Sequence, residues 1–176
     1  MVSLLFALAL HMQEAKKIEG GSSHKFKGLT FDIPGNWKTT NSDMGLVLVP
    51  NDANPSGSLE EAYAFASDAA LKELDGEAFE RAVDKLVEDV QPGMTRRGRP
   101  EKKRFGDLEG RVLGYDSKVE NRTVEVRVYA FLGDGCVCWL LALGYQDVLA
   151  KRNGEFAAVL GSLSKGGYED WKNVET

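Results

Sequence analysis

From position 29 onward apolar and polar residues alternate. Leu29, Phe31 and Ile33 are separated by Thr30 and Asp32, which places three apolar side chains on one face of a strand. Pro34-Gly35-Asn36 supplies turn chemistry, and Trp37 follows. Leu46 to Val49 is a continuous apolar run ended by Pro50, the pattern of a buried strand, and Asn51 to Ser58 reads as a loop. Residues 60–66 carry two signals. Ser58 with Glu61 has the spacing of a capping box, whereas Tyr63 and Phe65 alternate with small residues as a strand would; the strand is the preferred reading. Between Glu77 and Val90 the period changes. Phe79, Ala82, Val83, Leu86, Val87 and Val90 recur at three- and four-residue spacing, which predicts a helix stopped by Gln91-Pro92-Gly93.

The remainder predicts an antiparallel meander with strands Lys102 to Phe105, Leu108 to Ser117, Thr123 to Leu132 and Cys136 to Gly144. Asp134-Gly135 suits a two-residue type I′ turn, and that turn sets a register in which Gly133 faces Cys136 and Leu132 faces Val137. One face then collects Val124, Val126, Val128, Ala130 and Leu132 against Val137, Trp139, Leu141 and Leu143. The other carries Tyr129, Phe131, Cys136, Cys138 and Leu140 near the turn, with Glu125 and Arg127 farther away. It is expected to be covered at the turn end and wet at the other. A last amphipathic helix, about Asp147 to Leu163, would turn Val148, Leu149, Phe156, Val159, Leu160 and Leu163 to the core.

Composition fits one soluble globular domain: 176 residues, 43% hydrophobic, 28% charged, net charge -5. That balance gives no general attraction to nucleic acid or anionic membrane. Val2 to Leu10 is a nine-residue apolar run, the length of a signal-peptide core and too short to cross a bilayer. Ala7 and Ala9 form an A-x-A cleavage pattern, although no Lys or Arg precedes the run. The expected organisation is a signal peptide at 1–15, a linker at 16–24 containing Gly20 to Ser23, one α+β domain at 25–165 and a polar tail at 166–176. The protein is expected to be exported, periplasmic or secreted, and not an integral membrane protein.

The phrase Gly28-Leu-Thr-Phe-Asp-Ile-Pro-Gly-Asn-Trp37, the strand Val124-Glu-Val-Arg-Val-Tyr-Ala-Phe131 and the closing segment Phe156 to Leu163 resemble Mog1/PsbP-like domains. The resemblance covers about residues 25–165. It implies an antiparallel β-sheet flanked by helices, an αβα sandwich. Members of that family serve as a Ran-binding nuclear import factor, as an accessory protein of photosystem II and as bacterial envelope proteins, and an exported chain is most similar to the last group. The matching phrases are structural, so the resemblance assigns no functional residue.

Candidate chemistry is sparse. The two histidines, His11 and His24, fall in the expected signal and linker, and there is no Gly-x-Ser-x-Gly elbow, so a histidine-based triad is not indicated. Glu77, Glu80, Asp84 and Glu88 lie opposite the apolar stripe of the first helix and read as a solvated face. Cys136 and Cys138 point to one side of a strand, and no other cysteine or nearby histidine completes a zinc site with them; they read as small buried side chains. No metal or cofactor is implied. Arg96, Arg97, Arg99, Lys102, Lys103 and Arg104 fall within nine residues, interrupted among charges only by Glu101. They read as a solvated edge strand, with a patch for an anionic partner as the rival reading. The one aromatic beside them is Phe105, which gives base stacking no support, so no nucleic acid is expected.

The sequence thus favours a non-catalytic exported accessory or binding domain that engages a protein or small ligand through a sheet/helix groove. The alternatives are a hydrolase-type enzyme with a histidine-independent site and an anionic-surface binder acting through 96–104.

Overall fold

The computed structural model describes residues 16–17, 21–53 and 60–166, so the expected signal peptide and the tail from 167 onward lie outside the described residues. In chain order the strands are β1 (Lys16–Lys17), β2 (Ser22–Phe26), β3 (Leu29–Ile33), β4 (Trp37–Ser42), β5 (Gly45–Pro50) and β6 (Glu61–Asp68). Then come helix α1 (Glu77–Val90) and the meander β7 (Thr95–Phe105), β8 (Leu108–Val119), β9 (Arg122–Leu132) and β10 (Val137–Tyr145). Helices α2 (Gln146–Lys151) and α3 (Asn153–Gly161) lead into the short strand β11 (Ser164–Lys165). An eight-stranded sheet runs β1-β4-β5-β6-β10-β9-β8-β7, and a three-stranded sheet runs β11-β3-β2. All pairings are antiparallel. No described helix is long and apolar enough to cross a membrane.

The large sheet has two apolar faces, and each is covered. On one, α1 lays Phe79, Val83, Val87 and Val90 over Val126, Val128, Ala130, Trp139 and Leu141, with the Phe79 and Trp139 rings 5.6 Å apart. On the other, β2, β3 and the two C-terminal helices close over an aromatic stack. Its members are Phe31 with Phe65 (4.4 Å), Trp37 with Tyr63 (4.9 Å) and Phe156 with both Tyr63 (5.3 Å) and Tyr129 (5.4 Å). Cys136, Cys138 and Leu140 belong to this second core.

The register of β9 and β10 is the predicted one, Leu132 opposite Val137 and Ala130 opposite Trp139. The turn between them is not of type I′. Gly135 has φ 65, but Asp134 is not among the residues with positive φ. Asp134 is constrained from outside its own hairpin, because its N–H donates to the Lys27 carbonyl at 2.8 Å. A type I′ turn needs two central residues at positive φ, and here Lys27 (φ 48) and Gly28 (φ 80) between β2 and β3 provide them.

Four further expectations need correction. Residues 22–24, expected in a linker, are strand, paired with β3. The strand expected from Lys102 starts at Thr95, with a bulge between Arg97 and Glu101, because charged edge strands carry no apolar alternation to reveal them. The single closing helix is two, broken at Arg152 (φ -94, ψ -2), where Asn153 and Gly154 are poor helix formers. The far end of the β9 face is not wet, since Glu125 is 4% exposed.

Candidate partner-binding surface

Strand alternation divides the basic segment between the two sides of the sheet. Arg96 faces α1, where its Nη1 is 2.7 Å from Glu80 Oε2 and its Nε 3.7 Å from Asp84 Oδ1. Tyr115 donates to the same Asp84 at 2.7 Å. Two carboxylates read as a solvated face are therefore engaged. Arg97 points to the opposite side, pairing with Glu125 and lying 3.4 Å from Asp116 Oδ2. Its guanidinium crosses over Gly114, where a Cβ would come within 3.0 Å of Nη2; the missing side chain gives the arginine its path. Lys102 pairs with Glu109 at 2.9 Å. Arg99, Lys103 and Arg104 have no carboxylate partner among the described residues. Lys103 Nζ sits 5.9 Å from the Phe105 ring centroid, and Arg104 Nε is 3.4 Å from the Gly106 carbonyl. Among the described residues, the predicted six-cation patch is thus three cations paired with carboxylates and three without a carboxylate partner.

Beside the end of that strand lies a groove of about 420 Å³ between the two sheets. Leu108 and Leu132 form its apolar lining, with Asp107, Glu109, Ser164 and Lys165 around them. The β7–β8 turn is fixed there by the Asp107 N–H, which donates to the Leu163 carbonyl at 3.0 Å just beyond α3. Leu132 stands in the apolar row of β9 yet is 38% exposed, although Val137 opposite it on β10 is fully buried. Arg104 is paired across the ladder with Glu109 at the same end. This groove lies between the two sheets rather than between sheet and helix, and no local pattern announces it, because β11 and β8 are far apart in sequence.

Two buried carboxylates escaped the sequence reading. Glu125 is bonded by Arg97 and by Arg127 (both contacts of the latter 3.0 Å). Burial pushes its carboxyl up, but the hydrogen bonds from Arg127 and Arg97 outweigh burial and hold it below the usual glutamate range. Glu61 is held by Arg152 Nη2 at 2.9 Å and by the Tyr63 hydroxyl at 3.0 Å. Arg152 also reaches Asp52 at 2.7 Å and approaches Glu155 at 3.7 Å, while Trp37 Nε1 donates to Glu155 at 2.5 Å. Burial first, then the Glu61 charge, pushes the Tyr63 phenol far up. Glu61 stands on a strand face that continues with Tyr63 and Phe65, which is the signal that could have marked it, whereas Glu125 shares its face with Arg127 and carries no such signal. Each is held by guanidinium groups, Glu125 by two from neighbouring strands and Glu61 by Arg152 at the break between α2 and α3.

The remaining nucleophiles are similarly occupied. Cys136 and Cys138 are buried with sulfurs 3.8 Å apart, and burial, then the neighbouring Cys136, raises the Cys138 thiol. Among the described residues no three metal-binding side chains cluster. His24 Nε2 is 2.9 Å from Ser22 Oγ and stacks on Phe31, but Asp32 accepts from Ser23 instead, on the other side of β2. No Ser-His-Asp line forms there.

No family model matches the chain, and no curated protein matches its sequence. Solved structures do match. Cyanobacterial PsbP (CyanoP) from Synechocystis aligns at a TM-score of 0.56 and 15% identity, over 85% of this chain and 94% of that one. LpqN, described as involved in cell envelope biogenesis of Mycobacterium tuberculosis, aligns at 0.50 and 15% identity, over 89% of this chain and 92% of that one. At such identity the likeness is one of fold, and the chain has the PsbP-like α+β architecture.

Proposed function

We propose that the protein is an exported, non-catalytic accessory domain that engages a protein or small ligand in the groove between β8, the end of β9 and β11. The observation that carries this reading is the groove itself, apolar at Leu108 and Leu132 and polar at its rim, beside a strand whose cations are only half neutralised. Apolar lining with a few placed polar groups is the general make-up of binding sites. Support for a non-catalytic role comes from the pairing of both buried carboxylates and from a fold shared with CyanoP and LpqN. Export is supported by Val2 to Leu10 and by the cell-envelope involvement of LpqN. Phe105 is buried, so the basic strand offers no aromatic platform for bases.

The test is affinity capture from the native envelope fraction with the wild type and with Leu132→Asp. A partner bound through the groove is lost with the variant; equal capture by both overturns the reading. A second reading, attachment to an anionic surface, is favoured by the absence of carboxylate partners for Arg99, Lys103 and Arg104 among the described residues. Reversing those three charges abolishes salt-sensitive retention on an anionic matrix if that reading holds, and leaves it unchanged if it fails.

A further inference from the structure

We propose that the outer edge of β7 is a strand-addition site for an extended acidic segment of a partner protein, with two consecutive carboxylate residues meeting Lys103 and Arg104. The inference does not rest on the groove. β7 ends the large sheet: β8 pairs with it on one side, and among the described residues no strand lies on the other. From Glu101 to Phe105 the ladder with β8 is regular, beyond the bulge that follows Arg97. An antiparallel ladder engages the N–H and C=O of every second residue, so the alternate groups in this stretch are directed away from β8. Glu101, Lys102, Lys103 and Arg104 are all exposed. A length of backbone suited to pairing with a further strand is thus open at the side of the sheet.

The side chains set the chemistry of that further strand. Lys103 and Arg104 are neighbours, so they stand on opposite faces of the sheet. Lys103 shares its face with Phe105, its Nζ 5.9 Å from the ring centroid. Arg104 is opposite Glu109, but that carboxylate is taken by Lys102 at 2.9 Å, and Arg104 Nε meets the Gly106 carbonyl at 3.4 Å instead. Anionic charge lying against one face of the sheet meets only one of the two cations. A strand laid in the plane of the sheet meets both, because its own consecutive residues alternate between the faces. Two adjacent carboxylate residues then stand opposite Lys103 and Arg104 whichever way the segment runs, each forming an oppositely charged cross-strand pair. Charge also argues against a second copy of this chain as the occupant. From Arg99 to Arg104 the strand carries four cations and one carboxylate, Glu101, so a paired copy sets like charges against each other. The cations that deter basic and neutral edges favour an acidic one.

The test uses the whole protein and a fluorescein-labelled synthetic octapeptide of alternating Thr and Val with a central Glu-Glu. Two further versions are N-methylated on the backbone, one at the odd positions and one at the even. Fluorescence anisotropy is expected to show saturable binding of the unmethylated peptide. The version whose blocked amides face the sheet should lose it, and the version whose blocked amides face away should keep it. Replacing Glu-Glu by Gln-Gln, or combining Lys103→Glu with Arg104→Glu, should weaken binding about ten-fold, with far-UV circular dichroism of the protein unchanged. Should the double reversal not fold, Lys103→Gln with Arg104→Gln makes the same comparison. Four outcomes overturn the proposal. The unmethylated peptide shows no saturable binding; or both methylated versions bind equally, which would leave charge alone as the cause; or phosphatidylserine vesicles displace the peptide, which would give the edge to an anionic membrane; or the protein forms a dimer in sedimentation that the double reversal abolishes, which would give it to a second copy.

Discussion

Asp134 and Lys27 fasten the two sheets to each other. The Asp134 N–H donates to the Lys27 carbonyl at 2.8 Å, and the Asp134 carboxylate occupies the space that a side chain on Gly28 would need. One turn from each sheet is thereby clasped against the other, directly over Cys136 and Cys138.

Gly28→Ala is the most direct test of that clasp. The new methyl group would meet the Asp134 carboxylate, and alanine must adopt φ near 80, a conformation that L residues resist. The expected loss is about 1–3 kcal/mol in denaturant unfolding. Adding Asp134→Gly removes the collision but not the backbone strain, so it should restore part of the loss. Wild-type stability in Gly28→Ala would mean that the turns do not meet.

Glu125 predicts how stability responds to acid. Its carboxyl is lower in the folded protein than the ordinary glutamate value of 4.5, because the Arg127 and Arg97 hydrogen bonds overcome the opposing effect of burial. A depressed folded value means that the stabilisation is complete above the unfolded value and disappears as pH falls through the folded one. Glu125→Gln should therefore be less stable than the wild type near neutrality, with the gap narrowing below pH 4.5. Parallel stability–pH curves for the two proteins would contradict the pairing.

The two thiols should be inert in the native protein. Both are buried, and the Cys138 thiol is raised by burial and by its neighbour, so little thiolate is present near neutrality. A bulky thiol reagent is expected to label both residues only with unfolding, and Gly28→Ala, by loosening the cover, should accelerate labelling more than a core substitution on the α1 side. Rapid native labelling would show that the clasp does not cover them.

What the sequence disclosed follows from how local each signal is. Helix α1 was legible to its last residue because about four turns of helical spacing and the stop at Gln91-Pro92-Gly93 agree. The β9–β10 register was legible because a two-residue connection leaves one pairing, even though the turn type itself was set by a distant contact from Lys27. The first half of β7 was not legible, since Arg-Arg-Gly-Arg-Pro has no apolar face to give it away. Its cations were visible as a cluster, but the carboxylates that neutralise half of them come from α1, β8 and β9. The burial of Glu125 could not be read from its own strand, because Arg97 reaches it from β7 across Gly114. The groove had no signal at all, being made where residues 107–109 meet residues 164–165.

The smaller sheet also sets a timetable for the growing chain. Strands β2 and β3 are made early, but the outer edge of β3 is completed only by β11, through Ser164 opposite Thr30, a separation of 134 residues. At about 5–20 residues per second, translation takes roughly 7–27 s to cover that interval. Through all of it the nascent hairpin has its partner edge open. The last described strand is the one that seals the hairpin of β2 and β3, so that small sheet is completed only after residue 165 has been synthesised.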